Sequence, residues 1–387
     1  MLRSEEGMTR TLDVLPVDPR NPATLLDALE DAIAGQATYL PVPAHDRERT
    51  ELLRRSQLAG QPISADVALV VATSGSTGTP KGAQLTPANL VASADATHHV
   101  LGGSGQWLLA MPAHHIAGIQ VLVRSLIAGI DPLCLDVSAG FDVDKFAAAA
   151  GELAATGDRS YTSLAPMQLA KAMDTLAGIE ALRAFDAVLV GGAATNPQLL
   201  RAAEDLRINV VTTYGSSETA GGCVYDGRPI PGAKVRVTGG RIHLGGPMIA
   251  AGYRNAPGHE AFAEDGWFAT SDGGEISDGR LVVTGRLDAV IDTGGLKLHP
   301  EVLERELMLV DGVSHACVVG IPHPRFGQAV VAAYEGSATV SEVMENLDHL
   351  PRWQIPKDLR KVDALPLIGP GKVDRRAVAG LFQPVSD

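Results

Sequence analysis

Cysteine is scarce in this 387-residue chain, and the three present, Cys134, Cys223 and Cys317, are odd in number and far apart. That pattern excludes a disulfide framework and a Cys-x-x-Cys zinc site, and leaves the thiols as small core residues. Long apolar runs are missing too: Gly, Pro or a charge interrupts each stretch well before the ~20 residues that a bilayer helix requires. The opening residues Met1-Leu2-Arg3-Ser4-Glu5-Glu6 hold no apolar core of the signal-peptide kind, so the cytoplasm is the expected compartment and no membrane partner is expected. Basic charge is also short. With 32 Lys and Arg against 45 Asp and Glu, the formal net charge of -13 argues against nucleic acid as a partner, which wants a basic face. Internal repeats and low-complexity tracts are absent.

What is present is the composition of an ordinary globular protein, 45% hydrophobic, on a chain long enough for two domains. Residues 1 to 66 read as a helical and extended lead-in, with helical apolar spacing over 25 to 33. Short β-rich runs then alternate with longer Ala/Leu segments: 67 to 72, 107 to 111, 116 to 130, 188 to 190, 198 to 206 and 210 to 213. Such alternation predicts parallel sheets with helical crossovers. From 227 to about 284 the texture becomes short strands and Gly-rich turns, a small β subdomain. The tail beyond 288 carries a helix over 300 to 309, with Pro300 in its first turn, and a strand over 316 to 319.

The chemistry concentrates first in Thr73-Ser74-Gly75-Ser76-Thr77-Gly78-Thr79-Pro80-Lys81-Gly82, which follows the apolar run 67 to 72. Glycines let backbone N–H groups turn inward, hydroxyls add donors and Lys81 adds positive charge, so the loop predicts an anion-binding concavity suited to a triphosphate. It is not the common ATP loop, because Pro80 precedes the lysine and Gly82 follows it. A second strand ends in Gly191-Gly192-Ala193, where a flat ligand can approach the backbone or a simple turn can form. After a third come Tyr214-Gly215-Ser216-Ser217-Glu218. Here Ser216 or Ser217 can cap a turn, or Tyr214 can offer a ring face to adenine and Glu218 a hard oxygen to Mg²⁺. Asp272 after an aromatic pair, Arg286 and Asp288, Gly294-Gly295, and Lys372 in a Gly/Pro loop complete the set.

Taken in order from about Val67 to Val378, these motifs resemble those of the acyl-adenylate-forming superfamily of acyl-CoA synthetases, adenylation domains and luciferases. The resemblance implies an α/β fold: a large amino-terminal domain, 1 to 287, of stacked mixed and parallel α/β subdomains with a small β subdomain. A small mobile α+β domain, 288 to 387, would carry the catalytic Lys372. It further implies that Asp272 binds ribose with help from Arg286, that Asp288 is the hinge, and that Gly294 and Gly295 line the entry of CoA. Ser271 stands where the family usually has Gly. ATP, Mg and CoA are the implied cofactors, a small carboxylic acid the partner, and a homodimer the common assembly.

Two residues bear on the acid. His115 in Pro112-x-x-His115-x-x-Gly118 is either a satisfied core histidine or a shaper of the acyl pocket, a role the resemblance implies. Arg124 is the single charge on an apolar helix, and a buried guanidinium needs an anion. That anion is either a structural Asp or Glu or a second carboxylate of the substrate. A diacid fits the compact bacterial ligases that activate o-succinylbenzoate in menaquinone biosynthesis. The alternatives are an aryl or fatty acid CoA ligase, an enzyme loading a carrier protein, and a silent nucleotide-binding module.

Overall fold

The β-branched run ahead of the Gly/Ser/Thr loop forms the strand Leu69–Ala72, whose first three residues are fully buried. Its neighbours set the loop: Tyr39–Pro43 pairs parallel on one side and Gly82–Leu85 antiparallel on the other, with Ala72 opposite Gly82. The computed structural model describes residues 8–73, 79–368 and 372–382. By contact density it divides into two units, one of Met1–Gly192, Leu206–Arg236 and His243–Ala269, the other of Ala193–Asp205, Val237–Ile242 and Thr270–Asp387.

In the first unit, Asp13–Val17 joins the same four-stranded sheet, parallel to Tyr39–Pro43. The helical and extended lead-in thus contributes two strands, Asp13–Val17 and Tyr39–Pro43, to the sheet from which the 73 to 82 loop departs. Leu12, Leu40, Val42, Leu53, Ile63, Val67 and Val70 make one core beneath it.

The second sheet of this unit has seven strands, in the order Arg228–Pro229, Gly221–Tyr225, Val210–Ser216, Ala187–Val190, Ser160–Leu164, Gln106–Leu109 and Leu133–Cys134. From Val210–Ser216 to Leu133–Cys134 all pairings are parallel. Trp107, Leu108, Tyr161 and Val188 are fully buried, as strands covered on both faces demand. Because Arg228–Pro229 belongs to this sheet, the region of short strands begins later than its composition suggests, at Lys234–Thr238. Helix Ile116–Ala128 ends on Gly129, whose φ of 67° is the left-handed turn that closes a helix. It packs against the Gly221–Tyr225 strand.

The second unit contains the hairpin of Asp272–Ser277 with Arg280–Arg286, in which Asp272 stands opposite Arg286. It also contains the long hairpin Val313–His323 with Gly327–Gly336, flanked by Ile291–Thr293 and by the parallel strand Asp358–Lys361. Helix Pro300–Leu307 lies against this sheet and buries Leu303 and Leu307 in a core with Val318, Val330 and Tyr334.

Candidate active site

Lys81 is fixed from several sides. Its carbonyl accepts from Thr73 N–H at 2.8 Å, closing the neck of the loop. The preceding Pro80 carbonyl accepts from Gln57 Nε2 at 2.7 Å and Asn255 Nδ2 at 2.9 Å. Gly82 is obligatory, since a Cβ there would lie 2.1 Å from Gln57 Oε1 and 2.6 Å from Val70 Cγ1. The loop residues Ser74, Gly75, Ser76, Thr77 and Gly78 lie outside the described residues.

Glu218 sits just after the strand Val210–Ser216, in a short 3-10 turn, and is 7% exposed. Its Oε1 accepts from the Tyr253 hydroxyl at 2.6 Å. Burial and the facing carboxylate raise the Tyr253 phenol far above its ordinary value, so it remains a donor. The Tyr253 ring also faces the Lys81 ammonium, 5.2 Å from its centroid. The structure thus brings Lys81 to the ring face and Glu218 to the hydroxyl of one tyrosine, a residue to which no motif in the sequence drew attention.

The hairpin around Glu218 is shaped by close approaches. A Cβ on Gly215 would lie 2.2 Å from the Gly221 carbonyl oxygen, and the pairing shifts register between Tyr214 and Gly215. Tyr214, Ser216 and Ser217 are half-buried. Ser216 Oγ is a buried hydroxyl with no hydrogen-bond partner among the described residues, which leaves it a donor and acceptor for a ligand. On the adjacent strand, Gly191 lets Thr213 close in, since a Cβ would meet Thr213 Oγ1 at 2.2 Å; Gly192 takes a φ of 86°. Ala193, next in the chain, is exposed and falls in the other unit.

Helix Ile116–Ala128 carries Arg124 and is capped by His115, the two residues the sequence linked to the acid. Gly118 allows its first turn to sit on Pro112–Ala113, where a Cβ would come within 2.5 Å of the Pro112 carbonyl oxygen. That leaves His115 at the N-cap, half-buried, its ring 4.1 Å from that of His114. Nine residues on, Arg124 is 3% exposed. Its guanidinium lies 4.9 Å from the Trp107 ring, and Nη2 donates to the Tyr225 hydroxyl at 3.4 Å. Nε is buried without a partner, and no Asp or Glu pairs with this arginine among the described residues. Burial pushes Arg124 below its ordinary value. Of the two anions open to Arg124 in the sequence, the structural one is not found among the described residues. Trp107, Tyr225 and Thr97, which holds the Tyr225 hydroxyl at 2.9 Å, form its supporting shell. They lie on other elements and show no spacing that ties them to Arg124.

In the second unit, Asp272 is half-buried and faces Arg286 across the hairpin. Arg286 is already engaged: Nε donates to Asp288 Oδ1 at 2.8 Å and Nη2 to Oδ2 at 2.5 Å. This fork holds the Asp288 carboxyl below its usual range. Gly294 and Gly295 form the two-residue turn between Ile291–Thr293 and Leu296–Leu298, with φ of 65° and 83°. Two positive φ values in succession are what such a tight hairpin turn demands. Lys372 is exposed on the short strand Lys372–Val373, paired to Leu367–Ile368.

A single buried carboxylate suits Mg²⁺ better than a metal held by protein alone. Mg²⁺ keeps water and substrate phosphates as ligands and takes one or two carboxylates. The described residues contain no group of three or more His, Cys, Asp or Glu placed to hold a metal ion. They also contain no helix long and apolar enough to cross a membrane.

Comparison with known proteins bears on these features together. The model of the AMP-binding enzyme family matches residues 13–254, and that of the AMP-binding enzyme C-terminal domain matches 302–372. A probable 2-succinylbenzoate–CoA ligase of Mycobacterium tuberculosis is 46% identical over 376 residues, covering 94% of this chain and 97% of the relative. The 2-succinylbenzoate–CoA ligase of Escherichia coli is 30% identical, covering 89% and 76%. Among solved structures, ATP-bound MatB from Rhodopseudomonas palustris superposes with a TM-score of 0.82 at 21% identity, covering 96% of this chain and 89% of that one. MenE from Bacillus subtilis in complex with ATP and magnesium ion gives 0.72 at 23%, covering 94% and 83%. With a glycine-flanked lysine loop, a buried carboxylate after a parallel strand and both family models in chain order, the chain belongs to the AMP-binding enzyme family of AMP-forming acid–CoA ligases.

Proposed function

We propose that this chain activates o-succinylbenzoate with Mg·ATP and transfers the acyl group to CoA. The observation that carries the choice of acid is Arg124, a guanidinium buried among Trp107 and Tyr225 with no carboxylate paired to it among the described residues. An uncompensated buried cation is costly, and a ligand anion relieves that cost. The acid would then have a second carboxylate besides the one activated, as o-succinylbenzoate does. The name of the relative 46% identical to this chain supports the same reading.

The residues divide the work. Mg·ATP supplies an electrophilic α-phosphorus and pyrophosphate as the leaving group. Lys81 and the backbone of the 73 to 82 loop would hold the departing phosphates, Glu218 the metal, Tyr214 and Gly191-Gly192-Ala193 the adenine, and Asp272 with Arg286 the ribose. Arg124 would anchor the remote carboxylate, while His115 and Ser216 border the reacting one. Lys372 would sit between the attacking carboxylate and the α-phosphate, offsetting the charge that two crowded anions create. In the thioester step a turn at Asp288, the boundary proposed here between a large domain (1 to 287) and a small one (288 to 387), would withdraw Lys372. It would bring Gly294 and Gly295 to the path of the CoA thiol, separating the two tasks in time.

Coupled assays of pyrophosphate release and CoA-thioester formation with o-succinylbenzoate, benzoate, a medium-chain acid and sulfoacetate test the proposal. Sulfoacetate belongs in the panel because a sulfoacetate–CoA ligase of Cupriavidus necator is 30% identical over 92% of this chain and 76% of its own length. Its sulfonate would also pair with Arg124. Preference for o-succinylbenzoate is expected; preference for a monoacid would reject the assignment.

A further inference from the structure

The segment from Gly252 to Phe262 carries no motif, yet it grips the end of the phosphate-type loop. Gly252 O accepts from Gln84 N–H at 2.9 Å and Arg254 N–H donates to Gly82 O at 2.8 Å. Asn255 accepts from Gly82 N–H at 3.1 Å and donates to Pro80 O at 2.9 Å. Two further residues address the Lys81 side chain itself. Tyr253 presents its ring face, and His259 places Nε2 2.9 Å from Nζ. The imidazole is held edge-on to Tyr253, centroids 5.1 Å apart at 86°.

The other ring nitrogen is also occupied: His259 Nδ1 accepts from Ala261 N–H at 3.1 Å, capping the short 3-10 turn Glu260–Phe262. A neutral imidazole has one lone pair and one N–H. Two donors, a backbone amide and an ammonium, approach it at once, so it can satisfy only one. The contact with Lys81 is therefore a shallow resting place rather than a deep one. The charged and titratable groups around His259 are Lys81, Glu260, Glu218 and Tyr253. Burial first and then Lys81 push it below its ordinary value, which keeps the ring neutral near pH 7.

We propose that His259 is a positioning residue for Lys81: it stations the ammonium beside the phosphate-type loop and surrenders it to the β- and γ-phosphates when ATP arrives. Once Lys81 leaves, the imidazole carries its proton on Nε2, keeps the Ala261 N–H on Nδ1, and donates to the same phosphates. This rests on the Mg·ATP reading above and adds a residue to it.

The test compares binding of ATP, inorganic pyrophosphate and AMP to the full chain by calorimetry. Because AMP lacks the β- and γ-phosphates, His259→Ala should weaken ATP and pyrophosphate about tenfold while leaving AMP within about twofold, the scale of one charge-assisted hydrogen bond. His259→Gln, which retains a donor at similar reach, should recover most of the loss. His259→Thr keeps a capping oxygen for Ala261 but cannot reach Lys81, so it should behave like the alanine variant. In a Lys81→Ala background, His259→Ala should cost at least as much as in the wild type, because the Nε2–H donation to the phosphates does not pass through Lys81 and no resting contact has to be given up. Equal weakening of AMP, a wild-type-like His259→Thr, or disappearance of the His259→Ala effect in the Lys81→Ala background would overturn the proposal. Failure of the unmodified protein to bind ATP would instead remove the adenylation reading beneath it.

Discussion

Arg286 and Asp288 form a two-pronged ion pair, with hydrogen bonds of 2.8 and 2.5 Å, two residues apart in a 3-10 turn. It joins the residue proposed to assist ribose binding to the residue proposed as the hinge, so a turn at Asp288 strains or opens the fork. Both side chains are more than two-fifths exposed, and solvent screens such a pair. A double-mutant cycle of Arg286→Gln and Asp288→Asn on thermal stability should therefore return a coupling under about 1 kcal/mol. A coupling several times larger would mean a fork too tight to open during turnover. The pH behaviour has a definite sign. Since Arg286 lowers the Asp288 pKa, the pair's contribution is present above the ordinary carboxylate range and is lost only as pH falls through the depressed value. ATP KM profiles from pH 5.5 to 8 should show no ionisation that Asp288→Asn removes.

Arg124 should trade stability against selectivity. Replacing an unpaired buried charge with an apolar residue of similar length is often neutral or stabilising, so Arg124→Met is expected to hold or raise the Tm of the ligand-free protein. The same change should lower kcat/KM for o-succinylbenzoate about a hundredfold, the cost of deleting one partner of a desolvated charge pair, with little effect on benzoate. An unstable Arg124→Met protein would reveal a structural counter-ion, and unchanged selectivity would detach Arg124 from the acid. Tyr225→Phe, which leaves the guanidinium without its hydroxyl acceptor, should shift selectivity in the same direction by a smaller factor.

His114 sets an acid limit on the fold. Burial, and then the nearby Arg49, lower its pKa from 6.5 to about 4, so the native ring is neutral where an unfolded chain begins to take up a proton. The unfolded state binds more protons between those two values, and stability falls as pH drops from 6.5 toward 4. His114→Phe keeps a ring against His115 and removes the titration. Its Tm should decline less than that of the wild type between pH 6.5 and 4.5. Parallel decline in the two proteins would assign the acid sensitivity elsewhere.

Local chemistry made much of this architecture legible. The run before the phosphate-type loop, the strands ending at Val190 and beyond Val210, and the helix bearing Arg124 follow from β-branched runs, glycines and a lone charge in apolar surroundings. The pairing of the amino-terminal strand Asp13–Val17 was not legible, because its parallel partner lies across a helix, at Tyr39–Pro43, and short half-buried strands show no pattern of their own. Site residues supplied over long separations were invisible for the same reason. Tyr253 stands 35 residues from Glu218, His259 178 from Lys81, and Tyr225 101 from Arg124. Each is an unremarked polar aromatic or imidazole until the sheet brings it to its partner.

Lys372 is the sharpest test of a divided reaction. It is exposed and lies in the second unit, next to the sequence Gly369-Pro370-Gly371, which is outside the described residues. If its ammonium serves only where carboxylate and α-phosphate are crowded together, Lys372→Ala should slow pyrophosphate release in single turnover by about a hundredfold or more. ATP binding is assigned in this proposal to Lys81, its loop and Glu218, so the affinity should change little. Thioester formation from chemically prepared acyl-adenylate and CoA should proceed near the wild-type rate, because in the proposed sequence of steps Lys372 would have withdrawn by then. Loss of both half-reactions in equal measure would make Lys372 a structural residue and would remove the need for a turn at Asp288; loss of neither would move the charge-stabilising role to another cation.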